Sequence, residues 1–301
     1  MMTAMILAAA LVGGVHACAS CGGGSASGWA GAESMGVSWA DQLLGSTASG
    51  ETDSEETASE GEGGEVGGSN EPSPSIAPSA LYADRIDEER MVTAYVGVPG
   101  EASYLEGSIH LPLEQVFADN GTLKSPQEIA LLFGTAGVSE VDPLVIYGDG
   151  FVYQTFAFWV MKYLGHQEVL LLEGTRPDHE AAGLEFVATP TPRAAAVYNP
   201  EPNLGLLADA LPADGQLVDA RSSAEYASGH LDGAINIDSS TILDADGLAD
   251  DEALASAFSV LDPERPVVVY SSGKGGVASI VWYALYTKGY DASLATMESL
   301  S

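Results

Sequence analysis

The stretch QLVDARSSAEYASGHLDGAINI, Gln216–Ile237, decides the architecture. Its apolar start reads as a short strand ending in Asp219. A helix-prone stretch follows, for which Ser222 or Ser223 is a suitable cap, because a side-chain oxygen there can accept a free N–H of the first turn. GHLDGAINI, Gly229–Ile237, is then a glycine-punctuated turn into another strand. Downstream, PVVVYSSGKGGVASIVWYALYTKGYDASLAT (Pro266–Thr296) gives a β-branched strand closing at Tyr270 and a loop of Ser, Gly and Lys. A helix then sets out with SIVWYALY, stops at Gly289 and leads to a last strand. A strand, a glycine-rich loop and a helix together make a cradle for an anion, since backbone N–H groups and the helix N-terminus face the loop centre.

A weaker copy of this unit lies upstream. It reads VTAYVGVPGEASYLEGSIHLP (Val92–Pro112), then DPLVIYGDGFVYQTFAFWVMKYLGHQEVLLLEG (Asp142–Gly174). Tyr104 precedes Gly107 as Tyr226 precedes Gly229, and Tyr147 and Tyr270 each close an apolar strand. Both helices carry aromatic residues, and both end in Gly followed by an aromatic ring, Gly165-His166 and Gly289-Tyr290. Tyr147 to Gly165 spans 18 positions and Tyr270 to Gly289 spans 19, so the second loop is one residue longer. Aliphatic strands alternating with helices predict a parallel α/β sheet in each copy. The Pro-rich TPTPRAAAVYNPEPN between them reads as a linker.

VDARSSAEYASGHLDGAINI resembles the N-terminal motif of rhodanese domains: Asp219, Arg221, Glu225, Tyr226, Gly229, His230, Leu231, Gly233 and Ala234 all fit its spacing. The resemblance covers roughly residues 90 to 299 and extends to the two-domain thiosulfate sulfurtransferases, whose first domain is usually inactive. It implies an α/β fold of two tandem rhodanese-like domains, each a small parallel sheet flanked by helices. The expected boundaries are 82–190 for a degenerate first domain, with Ser108 where His230 stands in the second, and 203–299 for the second domain. In that family a cysteine just after the strand attacks a sulfane sulfur and holds it as a persulfide, and the loop N–H groups stabilise the anion. Here the loop runs Ser271, Ser272, Gly273, Lys274, Gly275, Gly276, Val277. Counted forward from Tyr270, the nucleophile position falls on Ser271; counted back from Ala278, it falls on Ser272. The first copy offers Gly148 or Asp149. The chain's two cysteines, Cys18 and Cys21, both lie far upstream.

Serine is a poor substitute. A hydroxyl needs a neighbouring base to become a nucleophile, and Lys274 is the only ionisable side chain in the loop. Cys21 on a long tether would reach the loop only at low effective concentration. GKGGVAS lacks the second Lys with an adjacent Ser or Thr that a nucleotide-binding loop of this type needs. Ser272, His230 and Asp219 do not sit in a GxSxG elbow. Asp219, Arg221, Glu225, Gly229, His230 and Gly233 are therefore expected to be structural. No histidine spacing suggests a metal, and no cofactor is implied. The expected ligand is a sulfur oxyanion such as thiosulfate or sulfate, held by Ser271–Val277, or else a protein partner. The competing expectation is an active thiosulfate sulfurtransferase, and the plainest is a loop that only closes the fold.

The remaining sequence concerns location and solubility. With 43 acidic and 10 basic residues the net charge is −33, which disfavours nucleic acid and anionic membrane surfaces. Met5–Val15 is apolar but too short to span a bilayer, as in an export signal. VHAC resembles a lipobox, which implies a signal over residues 1–17 and lipidation of Cys18, hence a protein anchored to the outer face of the cytoplasmic membrane. A plain secretory signal, giving a secreted or periplasmic protein, is the alternative. Residues 18–81 are expected to be a disordered acidic tether, rich in Ser, Gly, Glu and Pro.

Overall fold

The computed structural model describes residues 80–87, 90–97, 103–148, 150–245, 247–273 and 276–300. The expected signal, Cys18 and nearly all of the expected tether lie outside them, as do Asp149, Lys274 and Gly275.

The first unit contains β1 (Ala80–Leu81), β2 (Val92–Val96), β3 (Tyr104–Leu105), β4 (Ile109–His110), α1 (Pro126–Thr135), β5 (Leu144–Gly148), α2 (Phe151–Tyr163), β6 (Val169–Leu172), α3 (Arg176–Ala181) and β7 (Phe186–Val187). Its main sheet has the order β1-β6-β5-β2-β4, with all pairs parallel, and β3 pairs with β7 in a separate antiparallel ribbon. The second unit contains β8 (Gln216–Asp219), α4 (Ser223–Ser228), β9 (Ile235–Asn236), α5 (Asp251–Phe258), β10 (Val267–Ser271), α6 (Gly276–Thr287) and β11 (Ala292–Thr296). Its sheet has the order β11-β10-β8-β9, again parallel throughout. β10 is buried along its whole length, as a β-branched run covered on both faces must be.

Local chemistry sets the helix starts. Ser125 with Glu128, Thr175 with Asp178, and Ser222 with Glu225 each form a reciprocal capping box, while Asp250 accepts the N–H of Ala253. α2 and α6 are apolar nearly all round, and such helices are buried on every side. They pack against each other between the two sheets. Phe158 meets Tyr283 edge-on at 5.0 Å and Phe151 meets it at 5.8 Å. The Thr155 and Ser279 hydroxyls share a buried hydrogen bond of 2.9 Å. One hydrophobic core therefore runs through both units. None of the described helices is long and apolar enough to cross a membrane.

Three details depart from the sequence expectations. Ala80 and Leu81 fall in the stretch read as tether, yet they pair in parallel with Leu171 and Leu172, because Leu81 buries its side chain there. The last described strand–loop–helix also shifts: β10 runs through Ser271 rather than stopping at Tyr270, and α6 starts at Gly276 rather than Ser279. The Pro-rich linker is a strap laid on the first unit. Ala196 donates its N–H to Gly134 O at 2.8 Å, Arg193 reaches Gly137 O at 2.6 Å, and buried Tyr198 bonds His166 Nδ1 at 3.0 Å.

Candidate anion loop and its clasp

The second unit is organised around Asp219, at the end of β8 with no exposed side-chain surface. Arg221 turns back onto it: Nε donates to Oδ1 at 2.9 Å and a second guanidinium nitrogen donates to Oδ2. The same nitrogen donates to Gly229 O at 2.8 Å, which ties the clasp to the glycine turn. Tyr270 donates its hydroxyl to Asp219 Oδ2 at 2.7 Å and accepts the N–H of Leu231 at 3.1 Å. Burial, with the Asp219 charge adding to it, pushes the Tyr270 phenol up to about 12, so it stays a donor. The Asp219 hydrogen bond likewise holds Arg221 above its usual range. Asn236 closes the group by donating to Asp219 O and Arg221 O. A buried pair of this kind is tolerable because both carboxylate oxygens accept from matched donors.

The other motif residues are local. Glu225 accepts from Ser222 N and Oγ and so starts α4. Gly233 has φ +79°, a conformation that side chains rarely adopt. His230 is exposed, stacks on Tyr226 with centroids 3.8 Å apart and meets Tyr226 O through Nδ1 at 2.9 Å. With Asp219 held by Arg221 and Tyr270, and His230 held by its own turn, no Ser/His/Asp relay forms around Ser272. Among the described residues no group of three His, Cys, Asp or Glu is placed to hold a metal ion.

Ser271 closes β10 beside this clasp. Its side chain is 1% exposed, and its hydroxyl has no hydrogen-bond partner among the described residues. Ser272 is half-buried, Gly273 is exposed, and Gly276 and Val277 open α6. α6 has no acidic residue in its first turn, and neither does α2, which also lacks a side-chain cap. The first turns of α1, α3, α4 and α5 all carry a carboxylate. The two helices that follow a strand-end Tyr thus have no carboxylate in their own first turn to offset the positive end of the dipole. The sequence shows a Tyr closing the equivalent strand in both units but assigns no role to the Tyr270 hydroxyl, which joins the turn to the clasp.

Comparison with known proteins bears on this geometry directly. Residues 204–298 match the family model of the rhodanese-like domain. The second unit is thus similar to a rhodanese-like domain. A Mycolicibacterium smegmatis protein named "Putative thiosulfate sulfurtransferase" is 27% identical over 265 residues, covering 74% of this chain and 90% of its own. A Pseudomonas aeruginosa protein named "Probable 3-mercaptopyruvate sulfurtransferase" is 28% identical over 207 residues, covering 62% of this chain and 73% of its own. The 3-mercaptopyruvate sulfotransferase SseA from Escherichia coli superposes with a TM-score of 0.65 at 18% identity, over 73% of this chain and 98% of its own. The anaerobic ergothioneine biosynthesis enzyme from Chlorobium limicola superposes with a TM-score of 0.61 at 14% identity, over 74% of this chain and 67% of its own. The two superpositions speak to the rhodanese fold, and the relatives to a sulfurtransferase-like protein.

Proposed function

We propose that this is a rhodanese-family protein that has exchanged sulfur transfer for binding: a degenerate first copy, and a second copy whose Ser271–Val277 loop holds a sulfur oxyanion such as thiosulfate or sulfate. The single observation that carries the reading is the buried, unpartnered Ser271 hydroxyl where the family's nucleophile is expected. A buried donor without a partner costs about 1–3 kcal/mol, and an oxyanion at the α6 N-terminus would remove that cost. Lys274 brings the loop's one positive charge. The chain has no cysteine beyond Cys21 to form a persulfide, and an oxygen–sulfur bond would be a poor store for a transferred sulfur. Export and lipid anchoring at Cys18 belong to the same proposal and rest on the sequence alone. Loss of membrane attachment and of lipid labelling in Cys18→Ala would support them, and unchanged attachment would refute them.

Calorimetric titration with thiosulfate and with sulfate should show binding that Ser271→Ala weakens about ten-fold or more, as expected for a hydrogen bond to a charged group, and that Lys274→Ala also weakens. No heat at millimolar ligand would leave the loop a structural closure. The second reading is an active thiosulfate sulfurtransferase, the activity that the names of the relatives print for those proteins. Thiocyanate formation from thiosulfate and cyanide decides between the two. Turnover by the natural chain that Ser271→Ala or Ser272→Ala abolishes would establish the enzyme, whereas turnover gained only in Ser271→Cys or Ser272→Cys would establish an intact cradle without a nucleophile.

A further inference from the structure

An open cleft of about 1140 Å3 lies between the two units, away from the Ser271 loop. It sits beyond the carboxyl ends of β5 and β6, bounded there by Gly148 and Leu172. Of the strands that line it, β5 borders the point where the strand order turns: β2 leads to β4 on one side and β5 leads to β6 on the other. The crevice outside the carboxyl ends at such a switch is where open α/β sheets take their ligands. Its volume suits a small molecule better than a folded partner.

Charge decides what kind of molecule. Asp84, Glu173 and Asp178 from the first unit and Asp244 and Asp251 from the second line it, and among the described residues Lys288 is the one ammonium on the lining. Lys288 is already held by Asp251. The N-termini of α2, α3 and α5 open on the cleft through Phe151, Thr175 and Asp251. Each contributes roughly half a positive charge, which leaves the cleft negative by about two charges or more. The walls also offer apolar surface in Phe151, Leu248 and Tyr283, and an aromatic face attracts a cation in its own right. We propose that this cleft binds a small organic cation, an ammonium group carried on an apolar body.

Choline serves as the probe, with its uncharged analogue in which carbon replaces nitrogen as the control, titrated calorimetrically into the full chain. Choline binds and the uncharged analogue does not. Glu173→Gln and Asp244→Asn, one from each wall, each weaken choline about three-fold, and together by about ten-fold if they act independently. Asp209→Asn, an exposed carboxylate outside the cleft, leaves binding unchanged. Raising the salt weakens choline but not the apolar contribution. Equal binding of the analogue, unchanged choline binding by the double variant, or no heat at ~10 mM choline overturns the proposal. The Ser271 loop takes no part in this test, so the thiosulfate and choline results fail or succeed separately.

Discussion

The two units place the same strand pair in the same register and fill it differently. In the second, Asp219 lies opposite Tyr270 across β8 and β10; in the first, Tyr95 lies opposite Tyr147 across β2 and β5. Both strand-end tyrosines accept a backbone N–H from the glycine turn, Leu231 in one case and Leu105 in the other. The second unit then anchors the hydroxyl on a buried ion pair, whereas the first shares it with Ser108 at 2.6 Å and packs Tyr95 edge-on against Tyr104 and Tyr147. One position further on the contrast bears on function. Ser271 ends β10, and Gly148 ends β5, where an added Cβ would lie 1.7 Å from Val96 O. The first unit has no room for any side chain at the place where the second keeps a hydroxyl without a partner among the described residues. A cysteine could be introduced at this position in one unit by substitution alone, and in the other only by moving the backbone.

The largest expected break in this comparison is Arg221→Ala. It strands the Asp219 carboxylate in the core and should cost about 3–5 kcal/mol in chemical denaturation. Ser108→Ala in the first unit removes one neutral hydrogen bond and should cost about 0.5–1.5 kcal/mol. Equal losses would show that the aromatic cluster and the ion pair do the same work. Next comes Gly148→Ala, expected to cost about 1–3 kcal/mol through overpacking, while Ser271→Gly, the reverse exchange, should keep the fold. Ser271→Ala should go the other way and raise the midpoint of the ligand-free protein, since it removes an unmatched buried donor. A lower midpoint would mean that the hydroxyl has a partner in the free protein.

The smallest effect separates the units by pH. Burial holds the His166 imidazole below its ordinary value, and its ring bonds Tyr198 and Asp142 O under the strap. A base with a depressed folded pKa contributes its full stability above the unfolded value, about 6.5. That contribution is lost as the pH falls below 6.5 toward the folded value, because the unfolded chain takes up the proton first. Urea midpoints measured at pH 7.5 and 5.5 should therefore differ less in His166→Gln than in the natural chain. An unchanged difference would place the acid sensitivity elsewhere.

Much of this was legible in sequence because it is local. The capping serines, the glycine turns and the β-branched VVVY strand carry their own instructions, and Asp219 and Arg221 sit two positions apart. The departures come from long-range pairing. Ala80 and Leu81 look like tether until β6, some ninety residues on, offers them an edge. The strap looks like a linker because its bonds go to Gly134, Gly137, Glu140 and His166, none of them near in sequence. The cleft was invisible for the same reason, since its two walls come from different units. The exchange at Gly148 could be aligned from the sequence, but only the approach of Val96 O gives its cause.

The hydroxyl pair between Thr155 and Ser279 has a consequence for anyone wishing to divide this molecule. Each residue lies on the first or second turn of the helix that leaves a strand-end Tyr, and each turns its polar atom toward the other helix rather than toward water. Around them Phe158, Trp282 and Tyr283 form a face that belongs to neither half alone. A cut at the strap would yield two fragments, each with an oily flank, in which Thr155 and Ser279 keep only their bonds to Val152 O and Gly276 O within their own helices. The region that matches the rhodanese-like domain can be recognised on its own, yet the α6 face it presents is covered by α2 from outside that region.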